Sequence, residues 1–190
     1  VNYPRVETLL IESTYGAKED IQPTRQEVES AFITSVNSIL KDGGKVLIPI
    51  PAVGRAQELM LVIHQYMKSG ELVEAPVFME GMIQEATAIH ESFPEYLARE
   101  LKQRVLETDD NPFDSEYFTN IEHVDGREEA LREQSPCIII ATSGMLEGGP
   151  VLEYFRSIAP HKQNKILFVS YQVNGTLGRR VMDGGRQVSL

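Results

Sequence analysis

Four times along this chain a continuous apolar run ends in a short loop of glycine, hydroxyl or charged residues, and a helix start follows. Residues 9–16 read Leu-Leu-Ile-Glu-Ser-Thr-Tyr-Gly and residues 46–55 read Val-Leu-Ile-Pro-Ile-Pro-Ala-Val-Gly-Arg. Residues 137–150 run from Cys-Ile-Ile-Ile-Ala-Thr through Ser-Gly-Met-Leu-Glu-Gly-Gly to Pro, and residues 166–178 read Ile-Leu-Phe-Val-Ser-Tyr-Gln-Val-Asn-Gly-Thr-Leu-Gly. A run that is apolar at every position suits a strand buried on both faces, the pattern of a parallel sheet with helices on either side. The expected fold class is therefore α/β, three layers α/β/α around a mostly parallel sheet. In such a sheet the strand-to-helix loops gather at one edge, where α/β proteins bind ligands.

The reading predicts strands at 6–11, 45–50, 76–79, 121–124, 136–142 and 165–170, and a last one from Arg186. Thr24-x-x-Glu27 forms a capping box ahead of helical apolar spacing from Val28 to Leu40, closed by Gly43-Gly44. Further helices are predicted after Gly54, over 82–91, from Pro94 to Leu106, from an Asp125-x-x-Glu128 cap, over 150–159 and over 176–182. Residues 108–120 read as irregular.

With 190 residues and 42% hydrophobic content, the chain can bury a core, and 1–190 reads as a single domain. No apolar run approaches the ~18 residues of a membrane span, and no basic segment precedes an apolar one, so no membrane is expected as a partner. The single cysteine, Cys137, excludes a disulfide framework and fits a reduced, cytoplasmic setting. Starting at Val1 rather than Met and stopping at Leu190 inside an apparent strand, the sequence reads as a piece of a longer chain. Its formal charge of −10 argues against strong autonomous nucleic-acid binding, but that charge is then not the whole protein's.

The residues that can carry chemistry sit in the loops. His64, His90, His123 and His161 are dispersed and have no metal-ligand spacing, so no metal site is expected within the chain. The phosphate-loop and dinucleotide patterns are missing. Backbone N–H groups at Gly54 or Gly144 can hold an anion at a helix N-terminus, or these glycines simply permit tight turns. Glu12, directly after an apolar run, can orient a histidine or accept a proton, or else cap the next turn. Arg55, Arg179 and Arg180 suit phosphate contact, with ordinary ion pairing as the alternative.

Taken together, the loops become specific. Glu12-Ser-Thr-Tyr-Gly16, Pro51-Ala-Val-Gly-Arg-Ala-Gln-Glu58, Thr142-Ser-Gly-Met-Leu-Glu-Gly-Gly-Pro150 and Tyr171-Gln-Val-Asn-Gly-Thr-Leu-Gly-Arg179 resemble, in order, the motifs of the β-CASP domain of metallo-β-lactamase-fold ribonucleases. Within that family the sequence is most similar to the archaeal homologue of the cleavage and polyadenylation specificity factor nuclease, and Gly81-Met-x-x-Glu-Ala-Thr-Ala-Ile-His90 points the same way. The resemblance implies an α/β cap on a metallo-β-lactamase domain of the same chain, with RNA as partner in the cleft between them. It implies hydrolysis of RNA phosphodiesters, in 3′-end processing or decay, by water activated between two zinc ions whose ligands lie outside these residues. Glu12 matches the family's motif A acid and would orient a downstream histidine. Gly54, Arg55, Ser143, Gly144, Gly175, Thr176 and Arg179 would form the RNA-binding wall, and the segment alone would be inactive. The alternative is a catalytically silent RNA-binding scaffold of the same family.

Overall fold

A computed structural model describes residues 5–108 and 110–188. Five parallel strands, β1 (Val46–Pro49), β2 (Val77–Glu80), β3 (Phe118–Ile121), β4 (Ile138–Ala141) and β5 (Lys165–Ile166), form one sheet in the order β3-β2-β4-β1-β5. The helices are α1 (Arg25–Lys41), α2 (Arg55–Lys68), α3 (Ile83–Ser92), α4 (Arg99–Glu107), α5 (Val124–Arg132), α6 (Val151–Ile158) and α7 (Leu177–Met182). A 3-10 turn at Pro94–Tyr96 precedes α4. Among the described residues no helix is long and apolar enough to cross a membrane.

The three layers follow from strands apolar on both sides. Val46, Ile48, Met79, Ile138 and Ile140 pack on one face with residues of α1, α2 and α3. Leu47, Ile139 and Ala141 pack on the other with Val151, Tyr154, Phe155, Ile158 and Leu177. Connections that step towards β3 pass through α2, α3 and α4 on the first face. Those that step back pass through α5 and α6 on the second, as right-handed crossovers require.

Several expectations need correction. Residues 6–11 form no strand: the segment is exposed, and Leu10 is 98% exposed. The strand expected over 165–170 forms a ladder only at Lys165 and Ile166, although Leu167 N still donates to Leu47 O. β1 itself runs on to Pro49, which has no N–H to donate to the continuing segment. The strand expected at 121–124 lies earlier, at Phe118–Ile121, because those residues pair with β2; this also orders the end of the stretch read as irregular. Residues 186–188 form no strand, and 189–190 lie outside the described residues. Asp125 does not cap α5: His123 holds the cap position and Asp125 sits in the first turn. The capping box at Thr24 and Glu27 is formed.

Candidate functional site

β1 and β4 are neighbours, yet the chain leaves them towards opposite faces, β1 into α2 and β4 into α6. Their C-terminal ends therefore flank the point where the winding reverses, the crevice in which open α/β sheets bind ligands. The loops expected to carry function, 50–54 and 142–149, open from this point.

The two loops touch. A Cβ on Gly144 would come within 2.8 Å of Pro51 Cδ and 3.0 Å of Pro51 N, so only glycine lets them approach this closely. Gly144 is buried and supports the crevice from beneath, whereas Gly54 is exposed and Ser143 half-buried. Gln57, 3% exposed, holds the first loop from α2: its Oε1 accepts from Gly54 N at 2.7 Å, and its Nε2 donates to Ala52 O and to Thr87 Oγ1 on α3.

A second glutamine ties in the loop after β5. Gln172, 1% exposed, donates from Nε2 to Gly144 O at 3.0 Å and to Ser170 O at 3.1 Å. Gly178 N donates to Met145 O at 2.9 Å, and a Cβ on Gly178 would meet Gln172 Oε1 at 1.9 Å. Glu147 Oε1 accepts from Leu177 N at 2.5 Å and thereby occupies the start of α7. Thr176 caps that helix by accepting from Arg179 N and donates its own hydroxyl to Val173 O, while Gly175 stands exposed beside it. Gln57 and Gln172 lie inside recognised motifs but carried no expectation. An amide side chain inside each motif was the available signal, and its significance appears only with burial.

Below the β2 end, Glu80 is buried and accepts from Arg127 Nε, at 3.0 Å to both oxygens, and from Arg127 Nη2. Tyr154 donates its hydroxyl to Glu80 Oε2 at 2.6 Å. Burial, reinforced by the Glu80 carboxylate, pushes the Tyr154 phenol well above its ordinary range. This group joins α5 and α6 to the sheet directly beneath the edge.

The charged residues of the expected site all have local partners. Arg55 donates to Glu58 at 2.7 Å on the surface and also lines an open groove of about 550 Å³ with Glu29, Phe32 and Val169. Arg179 bonds Asp183 through Nε at 2.9 and 3.0 Å. Both arginines thus hold the ion pairs that were the alternative to phosphate contact. Glu12 is exposed, and its Oε2 accepts from Thr14 N at 3.0 Å, the turn-capping geometry. That backbone bond, then the Thr14 hydroxyl, holds its carboxyl below the usual carboxylate value. The same turn nevertheless reaches the edge, because Tyr15 packs edge-to-face on Tyr171 with ring centroids 5.9 Å apart.

The other titratable groups have structural surroundings. His64 Nε2 bonds Asp110 at 2.9 Å alongside Lys68 and Arg104, and His90 Nδ1 bonds Ala86 O. Cys137 is buried, which pushes its thiol up to about 11. Among the described residues, no three or more His, Cys, Asp or Glu side chains lie together where a metal could be held.

Comparison with known proteins places this arrangement. The family model described as the Beta-Casp domain matches residues 56–181. A protein of Cenarchaeum symbiosum is 85% identical over 100% of this chain, which spans 29% of that relative's length. Relatives from Methanocaldococcus jannaschii and Pyrococcus abyssi are 48% and 50% identical over 99% of the chain, which spans 30% and 29% of them. All three relatives are named transcription termination factor FttA. The chain thus spans about three-tenths of the length of the curated relatives it matches.

Proposed function

Because the chain belongs to the β-CASP family, we propose that it is the RNA-facing cap of a zinc-dependent ribonuclease acting in the cytoplasm on transcript 3′ ends. The observation that carries this reading is the convergence of the 50–54, 142–149 and 171–178 loops at the reversal point of the sheet, joined there by Gly144 and Gln172. The name shared by the relatives supplies the setting, transcription termination, in which the parent would hold and cut a nascent transcript. The chain's own part is binding and orienting RNA. Residues elsewhere in the parent, in its metallo-β-lactamase domain, would hold the two zinc ions, which supply the activated water when bound.

In this reading Gly54, Ser143, Gly175 and Thr176 present backbone and hydroxyl groups at the crevice rim, with Gly144 beneath them. Arg55 and Arg179 contact phosphates by exchanging carboxylate partners. Exposed ion pairs such as Arg55–Glu58 contribute only ~0–1 kcal/mol, so a phosphate competes with them readily. A few arginines can serve this role on an acidic domain when the rest of the parent supplies the long-range positive field.

RNA binding measured against salt tests the wall. In the parent, Arg55→Ala and Arg179→Ala should each weaken single-stranded RNA binding alike across sequences and lower the salt slope by about 0.7 per lost contact. Unchanged slopes in folded variants would return both arginines to a structural role. Single-turnover cleavage tests Glu12: Glu12→Gln should leave the fold intact and slow cleavage by roughly 10- to 1,000-fold, through lost orientation of the acid it supports. Wild-type rates would reduce Glu12 to the turn cap seen at Thr14. A parent that binds RNA and never cleaves it would select the silent scaffold.

A further inference from the structure

We propose that Tyr15 and Tyr171 form a stacking platform for bases of single-stranded RNA at the loop edge of the sheet. This extends the RNA-binding reading by naming where the bases, rather than the phosphates, are held. The two rings come from segments far apart in sequence and meet at a centroid distance of 5.9 Å with an interplanar angle of 89°. In an edge-to-face pair the ring that gives its edge leaves both of its faces uncovered by the pair, and the other ring keeps one.

Both residues stay open to solvent: Tyr15 is 52% and Tyr171 41% exposed, against 0% for Tyr154, which is buried with its hydroxyl bonded to Glu80. A tyrosine that serves only to anchor a loop is expected to resemble Tyr154. Here each ring steadies the other while its surface stays open. Val173 on the same loop is also exposed, and Arg179 follows on α7, the helix that this loop enters. Aromatic faces beside an arginine are how proteins hold unpaired RNA, with stacking for the base and the guanidinium for the phosphate. Every base offers a flat π face, so the platform is tolerant of sequence.

The test uses the parent protein with a single-stranded RNA carrying one 2-aminopurine, and the same RNA with that base removed. Tyr15→Leu and Tyr171→Leu should each weaken binding of the intact RNA roughly 5- to 150-fold for a lost stacked base, with the salt slope unchanged. Both should also abolish the fluorescence quench on binding. Tyr171→Phe should keep affinity and quench, because the ring and not the hydroxyl is used. Removing the base should weaken the wild type yet change the Leu variants little. Folded Leu variants that bind and quench like wild type would overturn the platform alone, as would a Phe variant that loses as much as Leu. A wild-type parent that binds no RNA would overturn the RNA reading itself.

Discussion

Residues 9–16 and residues 137–144 look alike as sequence, each an apolar run that breaks into a short loop of hydroxyl residues and glycine. One became β4, paired on both sides and completely buried from Ile138 to Ala141. The other stayed a surface segment whose hydrogen bonds, such as Thr14 N to Glu12 and Gly16 N to Ser13 O, are local. What differs is the partner. A strand is stabilised by cross-strand pairs and burial rather than by its own residues, so apolar character confers the capacity for a strand and the neighbours decide whether it is used.

That contrast can be broken by substitution, and the largest effect is expected beneath the β2 end. Glu80→Ala would leave Arg127 without its carboxylate and the Tyr154 hydroxyl without its acceptor, and should destabilise the chain by about 3–5 kcal/mol. Denaturant unfolding followed by circular dichroism measures it; a loss under ~1 kcal/mol would show that the group does not hold the edge. Next, Ile139→Ala in β4 should cost about 2–5 kcal/mol, while Leu10→Ala should stay within about 0.5 kcal/mol in the same assay. Equal losses would mean that residues 6–11 are packed in solution, and the comparison would fail.

A smaller effect sharpens the picture at the loops. Gln172→Leu removes the donor to Gly144 O and Ser170 O and should cost about 1–3 kcal/mol. Hydrogen exchange should then accelerate at Gly178 N and Leu177 N, which bind across to the 142–149 loop, and hardly at all in α1. A uniform increase would point to general destabilisation rather than release of the loop pair.

Much of the architecture was legible before the structure. Apolar runs at 45–50, 76–79 and 136–142 announced the strands found at Val46–Pro49, Val77–Glu80 and Ile138–Ala141, and Thr24 with Glu27 announced the start of α1. The motif loops were recognisable as well. Less legible were the ion pairs of Arg55 and Arg179, since an arginine after a glycine looks the same whether its partner is a phosphate or the acid three or four residues on. Gln57 and Gln172 were missed because amide side chains mark a site only once they are buried against loop backbones.

The sequence by itself determined what is local: the alternation of strand and helix, the caps, and the placing of glycines where loops turn or crowd. These depend on residues within a few positions of one another, so periodicity and composition report them. Only the tertiary structure decided that residues 6–11 find no sheet partner among the described residues, that β4 enters between β2 and β1, and that the loops after β1 and β4 therefore open at one crevice. It also decided that Tyr15 meets Tyr171. Each of these depends on which distant segments compete for the same neighbour, a choice made by the packing of the whole chain and written in no single stretch of it.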